Sequence, residues 1–551
     1  MTKKFMLPML ITFLLLQSAL SESDLYHYHT SAQNEKLVRQ ITQSSKDIMS
    51  YTVLTKTDSG KEILAVEITG QNHNTKPAIL LVGGLEGYEL TSVEICMDIL
   101  KHISTHYSHD PSLSGLLETC TIYIIPNANP DASAHFFDSP RSQRKTNNLP
   151  VDHDLDGKTD EDGFNDLTGD GMIAMMRIKD LLGAWTIHQN YPVMVPCTAE
   201  DSLTERYTMH FEGFDDDGDG WLNEDVAGGV DLDKNFPYHF EFSDKEAGTY
   251  AVSQKESKAL ADFIFSHPEI LLVYSFSDDN NLLTPWPASQ NAGPEYMDEV
   301  QKKGVITKML MEDALVMEQL TKKYRKIFQN MDYFQTEKNN GNFAEWVYYQ
   351  TGRLSVTTPA WRFSLDPADS ARCKNKDIEY YKWLQRSGHS GKVLAWQKIE
   401  HPDFPDQVVE IGGFLPNFRQ NAPEDSLKPI FERNRLLVRS LCELLPKIEI
   451  ADIRTKKLHD NIHHVDILIT NKGALATSTE IGRHLRWVPK IRIQMDSKVE
   501  IFSGKNFALL DKIEGNGETR KVSWLIKTNK KSITLKVHSP VFGDITKEVT
   551  L

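Results

Sequence analysis

Three short runs of almost unbroken apolar residues constrain the fold of this chain more than any other feature. They are residues 78–82 (AILLV), 117–125 (LETCTIYII) and 270–276 (ILLVYSF). Strands of this kind are buried on both faces, as in a sheet that is covered by helices. Stretches with helical periodicity, such as 90–103 and 253–265, lie between them. The alternation predicts an α/β domain with a mixed central sheet flanked by helices.

The chain is too long for one hydrophobic core, and its pattern of polar and apolar residues changes towards the end. It has 551 residues, whereas single cores stop growing at about 250–300 residues. After residue 445, short runs of alternating polar and apolar residues are separated by turn-like segments at 471–473 and 515–517. This pattern is typical of a β-sandwich. We therefore expect an α/β domain over 22–444 and an all-β sandwich accessory domain over 445–551.

The first residues predict export. Lys3 and Lys4 precede an apolar run to about residue 16, and small residues follow. These features are typical of a secretory signal peptide, which we place at residues 1–21. An uncleaved anchor is the alternative, although the run is short for a membrane span. We expect a secreted or periplasmic protein with no membrane span after the signal is removed.

The acidity of the chain is local. The net charge is −16, and residues 152–170 hold eight acids and one lysine, while residues 215–225 hold six acids and no base. A chain whose charge is concentrated in this way is not expected to bind nucleic acid, because phosphate backbones require basic surfaces. Clustered carboxylates indicate a cation as the partner.

The spacing within these windows predicts calcium. Both read D-x-D-x-D-G, and residues 166–171 repeat the pattern in part. Alternate oxygens followed by glycine form the start of a calcium loop, because glycine allows the sharp turn around the ion. The usual glutamate at position 12 is replaced by Gly163 and Val226, so other acids would have to close the loops; solvated acidic loops are the alternative. We expect a calcium-loop insertion at about 150–228 with the ligands Asp152, Asp154, Asp156, Asp160, Asp162, Asp166, Asp170, Asp215, Asp217, Asp219, Asn223 and Asp225.

Six segments in a fixed order carry a resemblance to a known family. The first segment is a glycine turn after a strand, later segments resemble strand motifs, and the last is interpreted as a late turn. The six segments are GGLEGYE (83–89), PNANPD (126–131), GVDLDKNFP (229–237), LLVYSFSDDNNLLTPW (271–286), GNFAEWVYYQTGRLSVTTPAW (341–361) and VEIGGFLP (409–416). Over residues 35–445 the chain resembles the zinc carboxypeptidases of the carboxypeptidase A type. It is most similar to exported bacterial members with acidic calcium-loop insertions and a C-terminal β-sandwich.

The resemblance implies a zinc site whose residue types are mostly replaced here. The family holds zinc with two histidines and one glutamate, and a second glutamate acts as general base. The first histidine falls on Glu86, the ligand glutamate on Glu89, the last histidine on Phe276 and the general base on Pro359. An Asn-Arg pair that grips the carboxylate of the substrate falls on Asp233 and Lys234, and an arginine that polarises the carbonyl falls on Arg144 or Arg141.

These replacements predict a degenerate active site. Phenylalanine cannot ligate a metal, proline cannot accept a proton, and a Glu/Glu pair suits calcium or magnesium better than zinc. We expect an exported, catalytically inactive protein that keeps a cleft for peptide or protein C-termini. One alternative is an active metallocarboxypeptidase with an atypical metal site, in which a histidine such as His135, His239 or His267 fills the gap. A scaffold protein that binds through its sandwich is a further alternative.

Overall fold

The structure, a computed structural model, describes most of the chain. The described residues are 27–152, 157–198, 205–223, 225–226, 228–289, 296–298, 303–329, 339–365, 375–416, 418–486, 488–495 and 499–551. The expected signal peptide at 1–21 and the expected calcium ligands Asp154 and Asp156 lie outside these ranges. Among the described helices, none combines the length and apolar character that crossing a membrane requires.

The first part of the chain alternates between helices and strands as expected. Its helices are α1 (Ser31–Ser44), α2 (Leu90–His106), α3 (Pro111–Leu117), α4 (Pro130–Ala134), α5 (Lys255–Ser266), α6 (Met311–Ile327), α7 (Phe343–Thr351), α8 (Lys376–Ser387) and α9 (Leu427–Leu444). Its strands are β1 (Met49–Lys56), β2 (Glu62–Ile68), β3 (Ala78–Val82), β4 (Thr121–Ile125), β5 (Met175–Lys179), β6 (Trp185–Ile187), β7 (Met194–Pro196), β8 (Tyr207–Phe211), β9 (Ile270–Phe276), β10 (Ala288–Ser289), β11 (Tyr296–Asp298), β12 (Lys303–Val305), β13 (Met309–Leu310), β14 (Leu354–Thr358), β15 (Val393–Ile399) and β16 (Val409–Phe414).

A six-stranded mixed sheet forms the centre of this domain and confirms the expected fold class. Its order is β1-β2-β4-β3-β9-β14, with β4, β3, β9 and β14 parallel and β1 and β2 antiparallel. Every residue of β3, β4, β9 and β14 is buried, as the apolar runs predict. The expected strand at 117–125 is shorter than predicted, because Leu117 ends helix α3.

The acidic insertion contains a second sheet that the sequence did not reveal. Strands β5 to β8 of the insertion join β15 and β16 in the antiparallel order β15-β16-β5-β8-β6-β7. A small core of Ala174, Met176, Ile178, Val409 and Ile411 lies under it. The segment at 409–416, interpreted as a turn, therefore begins as a strand that pairs with the insertion. The described residues of the acidic windows lie in the segments before β5 and after β8.

The last part of the chain forms the expected β-sandwich. One sheet contains β17 (Ile448–His459), β18 (Ile462–Asn471), β20 (Glu500–Ser503) and β22 (Glu518–Lys527); the other contains β19 (Ile491–Met495), β21 (Phe507–Leu510), β23 (Ser532–Ser539) and β24 (Gly543–Thr550). Burial alternates along β23, as the sequence pattern requires. A short helix, α10 (Glu480–Leu485), lies between β18 and β19.

A buried aspartate joins the sandwich to the α/β domain. Asp313 on α6 accepts hydrogen bonds from the backbone N–H groups of Glu480 (2.8 Å) and Ile481 (3.0 Å) at the start of α10. Its carboxylate also accepts a hydrogen bond from the Tyr348 hydroxyl at 2.9 Å. The buried apolar residues of both domains form one contiguous cluster. The sandwich is therefore fixed against the body by polar and apolar contacts together.

Replacement of Asp313 should weaken both domains at once. We expect Asp313→Ala to lower the free energy of unfolding by about 2–4 kcal/mol, because three donors lose a charged acceptor in a buried place. Urea denaturation followed by circular dichroism measures this change. The matched control is Glu318→Gln, which changes an exposed acid on the same helix and should shift stability by less than about 0.5 kcal/mol. Equal stability of the two variants would contradict the role of Asp313.

Candidate functional site

Three neighbouring parallel strands end together and present the candidate site. In the sheet, Val82 of β3 pairs with Ser275 of β9, and Phe276 of β9 pairs with Thr358 of β14. The chain leaves β3 through a glycine turn in which Gly84 has φ +64°, and a Cβ there would lie 2.4 Å from Asn127 Oδ1. Only glycine fits this turn without strain. The turn brings the following acidic residues against the ends of β9 and β14.

Glu86 is a buried carboxylate without a hydrogen-bond donor. It is 1% exposed, and within the described part of the chain neither of its carboxylate oxygens has a hydrogen-bond partner. The Lys145 ammonium lies 3.9 Å away. Burial, followed by the nearby charge of Asp231, raises the pKa of Glu86 well above its usual value. Burial likewise raises the pKa of Asp231 and of Asp233, so this part of the site holds an excess of acids.

Glu89 is held by an arginine. One of its carboxylate oxygens accepts hydrogen bonds from the Ala360 backbone N–H at 3.1 Å and from Arg362 Nη1 at 3.2 Å. Arg362 Nη2 donates a hydrogen bond to Asp278. Burial raises the pKa of Glu89 to about 7, while the charge of Arg362 lowers it. Arg362 therefore supplies the cation that lies between Glu89 and Asp278.

The residues at this place do not fit a zinc ion. Phe276 is fully buried against the ring of Tyr274, at a centroid distance of 4.7 Å, and offers only carbon. Pro359 stands beside Ala360, whose N–H binds Glu89, and cannot accept a proton. Among the described residues, one group of three side chains has metal-ligating atoms within 4.8 Å of one another, and it lies in the acidic loops rather than in this cleft. Zinc prefers nitrogen and sulfur ligands, which this cleft lacks in the described residues.

The expected carboxylate grip is also altered. Asp233 is 3% exposed, and its carboxylate accepts a hydrogen bond from the Phe343 backbone N–H at 2.9 Å. Lys234 points to Asp244 (3.0 Å) and Glu246 (2.5 Å). Its charge is therefore used in ion pairs within its own loop. The pair lacks the bidentate fork that recognises a terminal carboxylate.

The arginines and histidines considered from the sequence lie in other contacts. Arg144 Nη1 lies 2.8 Å from His135 Nε2, and Nη2 donates to the Asn147 carbonyl at 2.9 Å. A Cβ on Gly228 would meet that same nitrogen at 1.1 Å, so the insertion packs on Arg144. The other candidates contact neighbouring residues: Arg141 lies over the Phe136 ring, His239 stacks on Tyr238, and His267 pairs with Glu269.

The described part of the acidic windows forms interlocked loops. Oxygens of Asp215, Asp217 and Asp219 lie within 4.8 Å of one another. Asp166 accepts hydrogen bonds from the backbone N–H groups of Gly169 (2.7 Å) and Gly171 (2.7 Å), which closes the third copy. Four further expected ligands make backbone contacts: Asp152 accepts from the Gly157 N–H, Asp160 from the Gly228 N–H and Asp170 from the Met172 N–H, and the Asn223 amide donates to the Phe211 carbonyl.

Two buried acids link one window to the other. Asp162 of the first window is fully buried and accepts a hydrogen bond from the Asp216 backbone N–H at 3.0 Å. Asp225 of the second window accepts one from the Asp160 backbone N–H at 3.0 Å. In the described part of the chain, the second carboxylate oxygen of Asp162 and the side-chain oxygen of Asn223 have no hydrogen-bond partner. The sequence left open which acids would close each loop. In this geometry, acids of the neighbouring window are in place to do so.

Sequence reasoning missed four residues of the cleft. They are Lys145, Asp231, Asp278 and Arg362, which contact or electrostatically influence the two glutamates. Asp231 and Asp278 stand inside motifs that were recognised, and Arg362 directly follows one. The available signal was a charged residue inside or beside a recognised motif. The role of each such residue depends on distances between segments that are far apart in sequence.

Removal of the central cation should be costly. We expect Arg362→Ala to lower the free energy of unfolding by about 3–5 kcal/mol, because a buried carboxylate loses its partner. Adding Glu89→Gln should recover part of that loss, since the uncompensated charge is then gone. Thermal and urea denaturation measure both variants against Arg454→Ala, which removes an arginine that is 72% exposed. If Glu89→Gln worsens the Arg362→Ala variant, the two side chains are not coupled as described.

Comparison with known proteins gives the family. A model described as zinc carboxypeptidase matches residues 34–174 and 199–369, more than half of the chain, and a domain of unknown function matches residues 447–550. Human carboxypeptidase Z is 24% identical over 110 residues, which are 19% of this chain and 17% of that protein. Carboxypeptidase E of Caenorhabditis elegans is 25% identical over 109 residues, 19% of this chain and 23% of that protein. The chain thus spans less than a quarter of the length of these curated relatives.

Solved structures are similar at low identity. Bovine thrombin-activatable fibrinolysis inhibitor, in complex with tick carboxypeptidase inhibitor, is 14% identical, with a TM-score of 0.40 over 76% of this chain and 97% of that one. Carboxypeptidase A of Helicoverpa armigera is 13% identical, with a TM-score of 0.37 over 66% and 75%. The match to the family model, in contrast, covers more than half of the sequence. This chain belongs to the zinc carboxypeptidase family.

Proposed function

We propose that this protein is an exported member of the zinc carboxypeptidase family that binds peptide chains without hydrolysing them. The observation that carries the proposal is the contact between Arg362 and Glu89, which places a fixed guanidinium on the retained metal-ligand position. A guanidinium stays charged at any physiological pH and does not activate water as a metal ion does. Export follows from the sequence of residues 1–21 and is part of the same proposal.

The other replacements support loss of hydrolysis. A bound peptide would meet Pro359 in place of a proton acceptor and Phe276 in place of a ligand. The buried acids Asp231 and Asp233 oppose a second negative charge beside them. Lys145, whose side chain is 35% exposed, is a cation at the edge of the cleft that can meet the carboxylate of a peptide. Binding through backbone contacts and Lys145 is compatible with this residue set.

Purified protein should therefore lack carboxypeptidase activity. With peptides of varied C-terminal residues, we expect no release of amino acids above the blank, with or without added Zn²⁺, because ligand and base are both replaced. Mass spectrometry of the peptides and elemental analysis of the protein measure the two quantities. One zinc per chain, together with hydrolysis that phenanthroline abolishes, would establish the active-enzyme alternative instead.

An engineered pair of variants tests the role of Arg362 directly. Glu86→His with Phe276→His restores two nitrogen ligands beside Glu89. We expect stoichiometric zinc only when Arg362→Ala is added, because the guanidinium and the metal compete for the same carboxylate. The double variant that keeps Arg362 is the control. Equal zinc content of the two variants would show that Arg362 does not block the metal position.

We also propose that the acidic loops bind calcium. The support is the grouping of Asp215, Asp217 and Asp219, together with the unpartnered oxygens of Asp162 and Asn223 on the two interlocked windows. Hard carboxylate and amide oxygens are the ligands that calcium prefers. A cation would also offset the repulsion of the clustered acids and so stabilise the second sheet. A structural role follows from this placement.

Calcium should raise the melting temperature. At about a hundred times its Kd, calcium adds about 2.7 kcal/mol to the free energy of unfolding, and EGTA removes this gain. Tb³⁺ should give sensitised emission through Trp221, which stands in the second loop and is 70% exposed. Asp217→Asn with Asp219→Asn should weaken both responses, and the exposed Asp262→Asn serves as control. If neither calcium nor EGTA changes the melting temperature, the assignment of the acidic loops as calcium sites is refuted.

A further inference from the structure

A cavity of about 270 Å³ lies on one face of the second sheet, opposite the small core of that sheet. Met176 and Ile178 of β5 belong to the core, whereas their neighbour Met175 lines the cavity. Successive side chains of a strand point to opposite faces, so the two sets occupy different sides of the sheet. Met209 and Phe211 of β8 line the cavity as well. The second sheet therefore carries a core on one face and a cavity on the other.

A β-bulge brings Trp396 into the wall of this cavity. Between β15 and β16, residues 395 and 396 stand opposite the single residue Gly412. Bulges of this kind re-aim a side chain and are frequent next to functional sites. A Cβ on Gly412 would lie 2.9 Å from Trp396 Cα, and one on Gly413, at φ +88°, would lie 3.3 Å from the indole ring. The two glycines of the segment 409–416 thus let the indole lie against the strand, a use that the proposed function does not require.

Arg177 fixes this wall in place. Its guanidinium lies 4.3 Å from the centroid of the Trp396 ring and 4.8 Å from that of the Tyr207 ring. It also forms an ion pair with Glu410 at 2.6 Å and donates a hydrogen bond to the Met194 sulfur at 3.3 Å. Because four neighbours hold one buried side chain, the wall is formed before a ligand arrives. Pre-organisation of this kind lowers the entropic cost of binding.

The lining of the cavity is rich in aromatic rings and thioethers and has no net charge. The charged residues among those that line it, Asp377 and Arg419, form an ion pair at 2.8 Å. Sulfur atoms and aromatic rings both make favourable contacts with an aromatic ligand. An apolar cavity of about 150 Å³ holds benzene, so about 270 Å³ gives room for a bicyclic ring. The side chains that offer these contacts are Met175, Met194, Met209, Trp185 and Trp396.

We propose that this cavity binds a neutral aromatic group of one or two rings. The group lies against Trp396 and the methionine side chains, and it belongs either to a free molecule or to a side chain of a peptide. Glu86 and Glu89 of the cleft are not among the described residues that line the cavity. The site does not need hydrolysis or peptide binding in the cleft, so it stands or falls separately from the function proposed above.

Calorimetry on the full chain tests the site with indole, and with benzyl alcohol and cyclohexylmethanol as a matched aromatic and aliphatic pair. We expect indole to bind with a Kd of about 1 mM or tighter. Benzyl alcohol should bind at least about threefold more tightly than cyclohexylmethanol, because only an aromatic ring gains the sulfur and ring contacts. An indole Kd above about 1 mM, or equal binding of the matched pair, would overturn the proposal.

Variants of the aromatic wall locate the binding. Trp396→Leu keeps an apolar side chain but removes the ring, so it should weaken indole at least about tenfold and abolish the preference for benzyl alcohol. Trp185→Leu provides a second test if the first variant misfolds. Phe242→Ala removes an aromatic side chain that is 80% exposed and does not line the cavity, and it should leave binding unchanged. Unchanged indole binding by both tryptophan variants would contradict the assignment.

A peptide pair separates the two sources of the ring. Blocked tripeptides with a central tryptophan or a central alanine compete with indole for the full chain. Displacement by the tryptophan peptide alone identifies a peptide side chain as the ligand, and displacement by neither identifies a free aromatic molecule; both results support the site. Equal displacement by the two peptides would show that the ring is not what the cavity recognises.

Discussion

The candidate site depends on one buried guanidinium that is paired with two acids, of which Glu89 is buried. Arg362 lies between Glu89 and Asp278, where the family fold would concentrate negative charge around a metal ion. Buried carboxylates without a cation are costly, because low dielectric strengthens their repulsion and burial removes their hydration. A side chain of the protein now meets that requirement. The strand ends and the glycine turn therefore present a buried carboxylate whose countercharge is supplied by the chain itself.

The acids on the other side of the cleft are less completely compensated. Glu86 has Lys145 at 3.9 Å and no hydrogen-bond donor among the described residues, and the charge of Asp231 raises its pKa further. An enzyme uses such a cluster to hold a catalytic ion. In the function proposed above, this cluster opposes the carboxylate end of a peptide, and Lys145 at the edge of the cleft receives it. Under that proposal, the absence of hydrolysis and the outward position of the anion-binding cation have one electrostatic origin.

The rest of the molecule supports the site through a continuous core. The insertion is tied to the body by β16, which pairs with β5, and the sandwich is tied by Asp313 at the start of α10. The acidic loops then lie at the end of a small sheet rather than on a free segment. Their carboxylates bind backbone N–H groups of both windows, so the order of the loops and the order of the sheet depend on each other.

The sequence by itself determined the layers of the fold. Continuous apolar runs of strand length favour strands buried on both faces, and alternating runs favour half-buried strands, so the mixed sheet and the sandwich followed from local pattern. It also predicted that Phe276 and Pro359 stand at positions where the family has a metal ligand and a general base. Only the tertiary structure decided that Arg362 meets Glu89, a residue 273 positions away. Contacts between residues so far apart in sequence are set by the packing of the whole sheet, and a local sequence pattern does not contain that information.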